Sequence, residues 1–543
     1  MLFKSEDPWP RSHHDLLDHY HAQYDKAIAS GEYQPFLYPW GTLGALFVIL
    51  YLLIPHQHRP WLEKGRYLAF AWIAGFATYS NLYTKARAVA PALGIGLVNA
   101  WSIAWVGAII VCNDAQTDFM RIERTGGVFG SDPDQRKEKT QHDGGAEAKE
   151  EIKNHILKAD LVNSSSGPRD RHGQYAWQPY PLRPFIERLD WVLDIFCNFR
   201  GMGWNWRTTA LPPPPKPIQI QLDANSQSTV PKHTYKTHSG QVAQFTNRRS
   251  LLRQNTWRLL KGYLVLDLLK TTMMWDPYFW GLTNRAPPPP AHLPSWLTNS
   301  PVLTHTYHLL LSMLAVKYAL QTIFALGPLF FSGLLSPSLL GARAEPWMYP
   351  ETWAPYSVVL DKGLAGWWGS WWHQTFRFAF QEPSRKVIEG LGWDKRGVAA
   401  KALQLFVAFF LSGVVHGSGS FTATGETRPV RGPMAFFLLQ AVGIFVEAGV
   451  TRAANGAGLG GTLPSWLKRG WTFVYVHVWF YYTAHLLCDD FAQAGVWLFE
   501  PIPISLFRGL GFGPDARDGW WCWGGQLVRW HRGDTWWTTG IAF

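Results

Sequence analysis

The feature that most constrains this chain is a series of long apolar runs with few or no charges. A run of about 20 such residues matches the hydrocarbon thickness of a bilayer and predicts a transmembrane helix. We therefore predict an all-α, multi-pass membrane protein with about 8–9 transmembrane helices and interfacial pieces between them. The runs are residues 36–54, 67–84, 88–112, 302–335, 402–415, 433–450 and 471–487, with weaker candidates at 263–275 and 491–510.

Composition supports a lipid environment and excludes other classes. The chain has 31 tryptophans, while charged residues are only 16%. Tryptophan suits membrane interfaces, because its apolar ring carries one N–H donor. The net charge is +11, but no run of basic residues predicts a nucleic-acid patch. Positive charge can bind anionic lipid, set the membrane topology or attract an anionic substrate such as a coenzyme A ester. The net charge alone does not distinguish these three roles.

The four cysteines are far apart and form no C-x-x-C pair. Their spacing predicts neither a zinc site nor a disulfide framework, so no metal is expected. Residues 1–20 contain acidic side chains and no apolar core, so no cleavable signal peptide is expected either.

Composition shifts divide the chain into five parts. Residues 1–112 hold an N-terminal segment and three transmembrane helices, and 113–175 form a polar, disordered loop that contains one glycosylation-type triplet at Asn163. Whether that triplet is used depends on the side of the membrane on which the loop lies. Residues 176–342 are an aromatic interfacial region with further helices, 343–430 hold the motifs described below, and 431–543 form C-terminal helices and an aromatic tail.

The stretch "WWGSWWHQTFR", residues 367–377, is the most aromatic in the chain. On a continuous helix over residues 367–381, a narrow arc of about 100° gathers all the polar side chains but Thr375. One interpretation is an interfacial anchor; the other is a helix that lines a wet cavity. Anchors usually carry several basic residues, and this arc has one, which favours the cavity. The arc comprises Ser370, His373, Gln374, Arg377 and Gln381.

The second informative stretch is "LFVAFFLSGVVHGSGSF", residues 405–421. His416 ends a long charge-free run, and ionisable groups at that depth are expensive and usually functional. Ser412 lies one turn earlier and can hold an imidazole nitrogen, while Gly413 and Gly417 allow a neighbouring helix or ligand to approach closely. The alternative is a histidine that caps a helix at the interface. Together with His373, His416 suggests a buried proton-transfer site, because a neutral imidazole can deprotonate an alcohol.

These motifs resemble those of a known family. "WWGSWWHQ" resembles the FW-G-R-R-WHQ signature of the wax-synthase-like branch of the membrane-bound O-acyltransferases, and "FLSGVVHG" resembles its second signature, F-x-x-SG-x-x-H. "RGMGWNW", residues 200–206, is similar to a third, weaker element of fungal members. The order of the motifs and the distance between the two histidines also fit, although the motifs cover a small part of the chain.

The resemblance implies a multi-pass enzyme of the endoplasmic reticulum that moves an acyl group from acyl-CoA to a lipophilic alcohol, without a bound cofactor. It implies that His416 is the catalytic base and that His373 is its polar partner. Fungal chains of this length include acetyltransferases that act on terpenoid or meroterpenoid alcohols, which is the expected subgroup, with acetyl-CoA as the expected donor. The oxyanion of the reaction would accept a hydrogen bond from His373 or the Trp372 indole.

This sequence departs from the first signature at one point. Ser370 and Trp371 replace the arginine pair. If those arginines hold the phosphates of coenzyme A, other residues must do so here, and the candidates are Arg377, Arg385 and Lys386. Ser370, Trp372, Gln374 and Ser412 complete the set of expected substrate- and donor-binding residues.

Other functions remain open at this point. A long-chain wax ester synthase would use the same motifs. A solute transporter could use Glu447 and the pair Asp267 and Lys270, which share a helix face and are expected to pair with each other. A structural membrane subunit would leave both histidines unexplained. The H-x-x-x-D spacings at His14–Asp18 and His485–Asp489 are treated as chance matches.

Overall fold

The computed structural model describes residues 10–128, 174–225, 242–283, 289–290, 292–458, 463–523 and 528–543. Most of the polar loop, including Asn163, lies outside these ranges. The described chain is mostly helical, with three small sheets. This agrees with the predicted helical membrane protein.

The N-terminal part contains the three predicted helices, but the first is short. Residues 36–54 do not form one span, because the chain first makes strands and then a helix of 11 residues. Gln34–Pro35 pair parallel with Thr84–Lys85, and Leu37–Tyr38 pair antiparallel with residues 540–542, the last strand of the described chain. The elements are α1 (His13–Ala29), β1 (Gln34–Pro35), β2 (Leu37–Tyr38), α2 (Leu43–Leu53), α3 (Pro60–Tyr83), β3 (Thr84–Lys85) and α4 (Val89–Val106), which continues as a π-helical turn, Gly107–Val111.

The polar loop begins later than predicted. Residues 113–128 contain a short helix, α5 (Ala115–Asp118), and a strand, β4 (Arg121–Arg124), which pairs antiparallel with β5 (Tyr175–Gln178). The buried Arg121 guanidinium fixes this strand, because it lies 2.7 Å from the Asp190 carboxylate and 3.2 Å from that of Asp194. Both carboxylates lie on α6 (Phe185–Cys197). The predicted boundary at residue 113 is therefore wrong, since a buried ion pair orders the start of this segment.

The remaining elements are helical up to the C-terminal tail. Two further π-helical turns, Leu329–Leu335 and Val430–Met434, lie beside long helices. The helices are α7 (Lys216–Asn225), α8 (Arg248–Met274), α9 (Ser295–Thr298), α10 (Pro301–Pro328), α11 (Pro337–Leu340), α12 (Ser357–Gly366), α13 (Arg377–Gly390), α14 (Val398–Thr422), α15 (Ala435–Gly456), α16 (Ser465–Thr483) and α17 (His485–Gln493), followed by strands β6 (Arg529–His531) and β7 (Gly540–Ala542).

Four helices in the described part are long and apolar enough to cross a membrane: Val89–Val111, Pro301–Leu335, Val398–Thr422 and Val430–Gly456. They contain four of the predicted runs. Runs 67–84, 263–275 and 471–487 fall on helices outside this set, so the larger number of spans stays a prediction. The run at 491–510 is wrong as a single helix: α17 ends at Gln493, and Gly495 turns the chain with φ of 73°.

Helix α14 lies at the centre of the helices that carry the motifs. It packs so closely on α4 that a Cβ at Gly96 would lie 1.9 Å from the Ser418 carbonyl oxygen. The Thr422 hydroxyl joins the same two helices, because it accepts from the Gly96 N–H at 3.0 Å and donates to the Ala92 carbonyl at 2.7 Å. On another face, a Cβ at Gly413 would lie 3.2 Å from Met434 Cα. Glycine therefore permits the close helix approach that the sequence predicts.

The charged pair on α8 does not form as predicted. Asp267 is buried and accepts hydrogen bonds from the backbone N–H groups of Leu506 at 2.7 Å and Phe507 at 3.1 Å. Lys270 instead lies 3.2 Å from the Glu500 carboxylate. Both charges are used to hold the C-terminal segment, which offers better-placed partners than a neighbour on the same helix.

Candidate active site

The first motif is not a continuous helix. Trp367–Trp371 form a π-helical turn, Trp372 is extended with φ of −66° and ψ of 152°, and α13 begins at Arg377. The predicted helix over residues 367–381 is therefore wrong. The polar arc that was predicted from this helix is therefore not a continuous stripe on one helix face.

Side-chain donors explain why the helix can break here. In an α-helix the Gly369 carbonyl would accept from the His373 N–H. Here the Arg377 guanidinium donates to that carbonyl at 2.8 Å. The Gln374 amide donates to the carbonyls of Trp368 at 3.1 Å and Trp372 at 2.6 Å. These bonds satisfy carbonyls that the lost helical turn would leave without donors, and buried carbonyls require partners.

Arg377 and Gln374 also bind each other, with the guanidinium 2.9 Å from Gln374 Oε1. Arg377 lies 3.3 Å from Gln381 Oε1 as well. Their contacts thus hold the break in the chain. Ser370 lies in the π-helical turn and is half-buried. Because of this break, His373 does not belong to a helix. It lies between the π-helical turn Trp367–Trp371 and α13.

His373 is surrounded by aromatic rings from four parts of the chain. Ring centroids of Trp372 and Phe376 lie 5.4 Å away, that of Phe324 lies 5.7 Å away and that of Trp353 lies 6.1 Å away. Its Nδ1 is buried and has no hydrogen-bond partner among the described residues. Burial lowers the pKa of His373, and the neighbouring His416 and Arg200 act in the same direction. His373 is therefore neutral at physiological pH.

His416 lies in α14 and packs on the side of α15. Its ring stacks on Phe437 at 4.7 Å between centroids, and Phe491 lies 6.3 Å away. Its Nδ1 is also buried without a hydrogen-bond partner in the described part of the chain. The predicted hydrogen bond from Ser412 to this nitrogen is thus not present there.

A continuous aromatic wall connects the two histidines. Trp368 lies 5.9 Å from Trp372, which neighbours His373, and 5.8 Å from Phe437, which stacks on His416. Residues that are 43 positions apart in the sequence, 373 and 416, thus border one aromatic cluster. In each of the two imidazoles, Nδ1 is buried without a hydrogen-bond partner among the described residues.

Two further residues near His373 escaped the sequence analysis as site residues. Arg200 donates to the carbonyls of Pro350 at 3.3 Å and Glu351 at 2.9 Å, so it fixes the chain just before Trp353. The Trp353 indole N–H is buried without an acceptor among the described residues. The "RGMGWNW" resemblance pointed to the region of Arg200, but Trp353 stands outside every motif and gave no signal.

The two basic candidates on α13 differ in their contacts. Arg385 is held by acidic groups: its Nε lies 2.8 Å from Glu382 Oε1 and its Nη1 lies 2.9 Å from Glu389 Oε1. Lys386 instead lines a polar cavity of about 770 Å³. The cavity is also lined by basic, acidic and amide side chains: His56, His58, Arg66, Glu63, Asp114, Asp118, Asn113 and Gln116.

The cavity and His373 lie at opposite ends of α13. Lys386 follows Arg377 by nine residues, which corresponds to about 13 Å along the helix axis. The cavity is also lined by Val111 and Cys112, at the end of the π-helical turn that continues α4. The same helical elements therefore border a polar opening and the histidine pair.

Sequence comparison identifies the class of protein. Residues 353–439 match the sequence model of the Membrane bound O-acyl transferase family, and this segment begins at Trp353 and includes His373 and His416. The match covers 87 of the 543 residues, so it shows the similarity of this segment to the family. Together with the relatives described next, it supports an O-acyltransferase.

Curated relatives come from fungi. The chain is 25% identical to acetyltransferase ple2 of Rhodocybe pseudopiperita over 335 residues, which cover 60% of this chain and 73% of that protein. It is 24% identical to O-Mevalon transferase yanI of Aspergillus niger over 278 residues, covering 49% of this chain and 53% of the relative. It is 29% identical to acetyltransferase eriL of Hericium erinaceus over 145 residues, covering 26% and 36%. The chain thus spans about half the length or less of two of these three. No solved structure matches it.

Proposed function

We propose that this enzyme transfers an acetyl group from acetyl-CoA to a hydroxyl of a lipophilic alcohol of the terpenoid or meroterpenoid class. The observation that carries the proposal is the meeting of His373 and His416 at one aromatic wall, each with a buried Nδ1 that has no partner in the described chain. The names of the fungal relatives, two of them acetyltransferases, support the acyl group and the setting of secondary metabolism.

In the proposed reaction, His416 takes the proton from the acceptor hydroxyl. The oxygen attacks the thioester carbonyl, the carbon–sulfur bond breaks, and the proton on His416 passes to the leaving sulfur. Neither a metal nor a covalent acyl-enzyme is required by these steps. Positioned general bases contribute about 10²- to 10⁴-fold in rate, which is what His416 would supply.

The oxyanion formed on the thioester carbon needs a hydrogen-bond donor. A neutral His373 can donate from one ring nitrogen. The Trp353 indole N–H is a second candidate, because it is buried without an acceptor in the described chain and its ring contacts those of His373 and Trp372. An apolar surrounding strengthens such donors, because water does not compete for them.

Donor binding is assigned to the polar cavity. Lys386 lines it, and a lysine suits the phosphates of coenzyme A. Arg66 lines it too, but its guanidinium lies 3.9 Å from Glu63 and 4.0 Å from Asp114, so Lys386 is the main candidate. Arg385 is the weaker of the two α13 candidates, because Glu382 and Glu389 already hold its guanidinium. The part of the acyl-CoA donor that carries the acyl group would extend along α13 from this cavity to the histidines. The acceptor alcohol would enter from the lipid through the aromatic wall.

A multi-pass arrangement in the endoplasmic reticulum membrane is part of the proposal. The four apolar helices support insertion into a bilayer. The transporter alternative is weakened, because Asp267 and Lys270 hold the C-terminal segment. Glu447 accepts from the Leu364 N–H at 3.0 Å, next to Gly363, so it too has a local structural partner.

The test is an assay on microsomes that contain the full chain. Acetyl-CoA and palmitoyl-CoA are supplied separately with a panel of terpenoid alcohols, and both the released thiol and the mass of the product are followed. We expect acetyl esters and release of thiol with acetyl-CoA. Transfer of palmitoyl in preference would instead indicate a wax ester synthase.

The control is a microsome preparation with His416→Ala at equal protein level. Thiol release that requires neither an acceptor nor His416 would contradict the proposed transfer. Accumulation of an unmodified alcohol inside vesicles without thiol release would favour transport.

A further inference from the structure

Two adjacent histidines at the start of α1 face one carboxylate near the end of the chain. His14 Nε2 lies 3.1 Å from Asp518 Oδ1, and His13 Nε2 lies 3.5 Å from the same oxygen. The three potential ligand atoms all lie within 4.8 Å of one another. His14 and Asp518 are 504 residues apart in the sequence, so no spacing motif marks the cluster.

These distances suit a tetrahedral metal ion. Zinc binds imidazole nitrogen and carboxylate oxygen at about 2.0–2.2 Å, which places neighbouring ligand atoms about 3.3 Å apart. The two nitrogen–oxygen distances lie on either side of that value. Two histidines and one carboxylate are a ligand set that zinc commonly takes, with a water in the fourth position.

His13 gives an independent indication. It is only 1% exposed, its Nε2 has the long contact of 3.5 Å with Asp518 Oδ1, and its Nδ1 has no hydrogen-bond partner within the described chain. Buried imidazole nitrogens that lack good hydrogen bonds are costly, and such groups call for an explanation.

The surroundings hold the three ligands in place before any ion binds. The Arg517 guanidinium joins the two segments, because it lies 2.7 Å from Ser12 Oγ, 2.6 Å from the Asp15 carboxylate and 3.2 Å from that of Asp18. Asp518 is 1% exposed in its side chain, whereas His14 is 24% exposed. His14 therefore marks the side from which an ion can enter.

One cation competes for the same carboxylate. Arg508 lies 3.9 Å from Asp518 Oδ1. The Glu500 carboxylate holds this guanidinium with two bonds, at 2.7 and 2.8 Å, so its charge is largely balanced elsewhere. Asp518 keeps the shorter contact with His14.

We propose that His13, His14 and Asp518 bind one zinc ion, which fastens α1 to the C-terminal segment. The proposed role is structural, because the ion would join the first helix to a segment near the end of the chain. The inference does not depend on the proposed substrates.

The test uses the full chain, purified in detergent, stripped with a chelator and dialysed against micromolar zinc. We expect about one zinc per chain by mass spectrometry and a melting temperature that rises with zinc concentration, because an ion that binds only the folded state stabilises it. His13→Ala and Asp518→Asn should lose the bound zinc and the zinc-dependent rise. His21→Ala, on the same helix but outside the cluster, is the matched control and should keep both.

Cobalt substitution guards against variants that fail to fold. In the wild-type chain, Co²⁺ should give the visible absorption bands of a tetrahedral site, and added zinc should remove them. Wild-type protein that binds no zinc, or His13→Ala and Asp518→Asn proteins that bind as much as the His21→Ala control, would overturn the proposal.

Discussion

The two motif regions of this enzyme use opposite kinds of backbone. The second motif lies in α14, one uninterrupted helix whose glycines allow α4 and the turn at residues 430–434 to approach closely. The first motif lies in residues 367–376, where a π-helical turn is followed by an extended residue before α13 begins. One histidine thus comes from a rigid helix, and its partner comes from a break in the chain.

This difference in backbone means that the two histidine side chains are held in position by different interactions. His416 is fixed by helix packing, so its position depends on neighbouring backbones. His373 is fixed by side-chain bonds from Arg377 and Gln374 to the carbonyls of Gly369, Trp368 and Trp372. The proposed roles, general base and hydrogen-bond donor, both require precise placement, and the chain positions the two side chains in two ways.

The largest effect is expected from a change at His416, the histidine that lies in α14. His416→Ala should lower the rate of acyl transfer by about 10²- to 10⁴-fold, because the general base is removed. The measurement is thiol release and ester formation at equal membrane protein level. His477→Ala is the matched control, since His477 is an exposed histidine on another helix. Undiminished transfer by the His416→Ala enzyme would exclude His416 as the base.

His373 should show a smaller and more selective effect. His373→Leu should cost about 10²- to 10³-fold in kcat, because one oxyanion donor is lost. His373→Asn should recover part of this, since an amide also donates a hydrogen bond. Equal rates for the leucine and asparagine variants would contradict a donor role for His373.

Variants of Arg377 test whether its side chain stabilises the break between the π-helical turn and α13. Arg377→Leu removes charge-assisted bonds to the Gly369 carbonyl and the Gln374 amide oxygen, each worth about 1.5–3 kcal/mol. We expect a lower melting temperature in detergent and a parallel loss of activity, with Arg377→Lys only partly restoring both. If Arg377 bound coenzyme A phosphate instead, the KM for the donor would rise while the melting temperature stayed unchanged.

The smallest effect is expected from a variant that tests how tightly α14 packs against residue 434. Gly413→Ala places a Cβ 3.2 Å from Met434 Cα, and such overpacking costs about 1–3 kcal/mol. Gly449→Ala is the control, because its Cβ would meet no atom within 4 Å. Thermal unfolding should show a loss of stability for Gly413→Ala and none for Gly449→Ala. Equal melting temperatures would mean that the approach of α14 to residue 434 is not tight.

The regular parts of the fold were predictable from the sequence. The runs at 88–112, 302–335, 402–415 and 433–450 correspond to the four apolar helices, because a charge-free run of this length has few alternatives to a buried or membrane helix. The run at 36–54 failed as a single helix, because Leu37 and Tyr38 near its start pair with the strand at residues 540–542. Pairing between distant segments leaves no signal in local periodicity.

The sequence predicted candidate site residues but not the backbone that carries them. His373 and His416 were chosen because ionisable groups are rare in such apolar stretches, and their roles stay predictions. The helical arc through Ser370, Gln374 and Arg377 was wrong, since a periodicity argument assumes backbone hydrogen bonds, and here side chains replace them. Trp353 was missed, because one more tryptophan among 31 carries no local signal.

The most direct measurement is a double-mutant cycle on kcat/KM with His416→Ala, His373→Leu and the variant that carries both changes. If the two imidazoles act on one transition state, the double variant should be hardly slower than His416→Ala alone, because groups that act as a unit are strongly non-additive. Losses that simply multiply would mean that the histidines act independently, and they would contradict a shared active site.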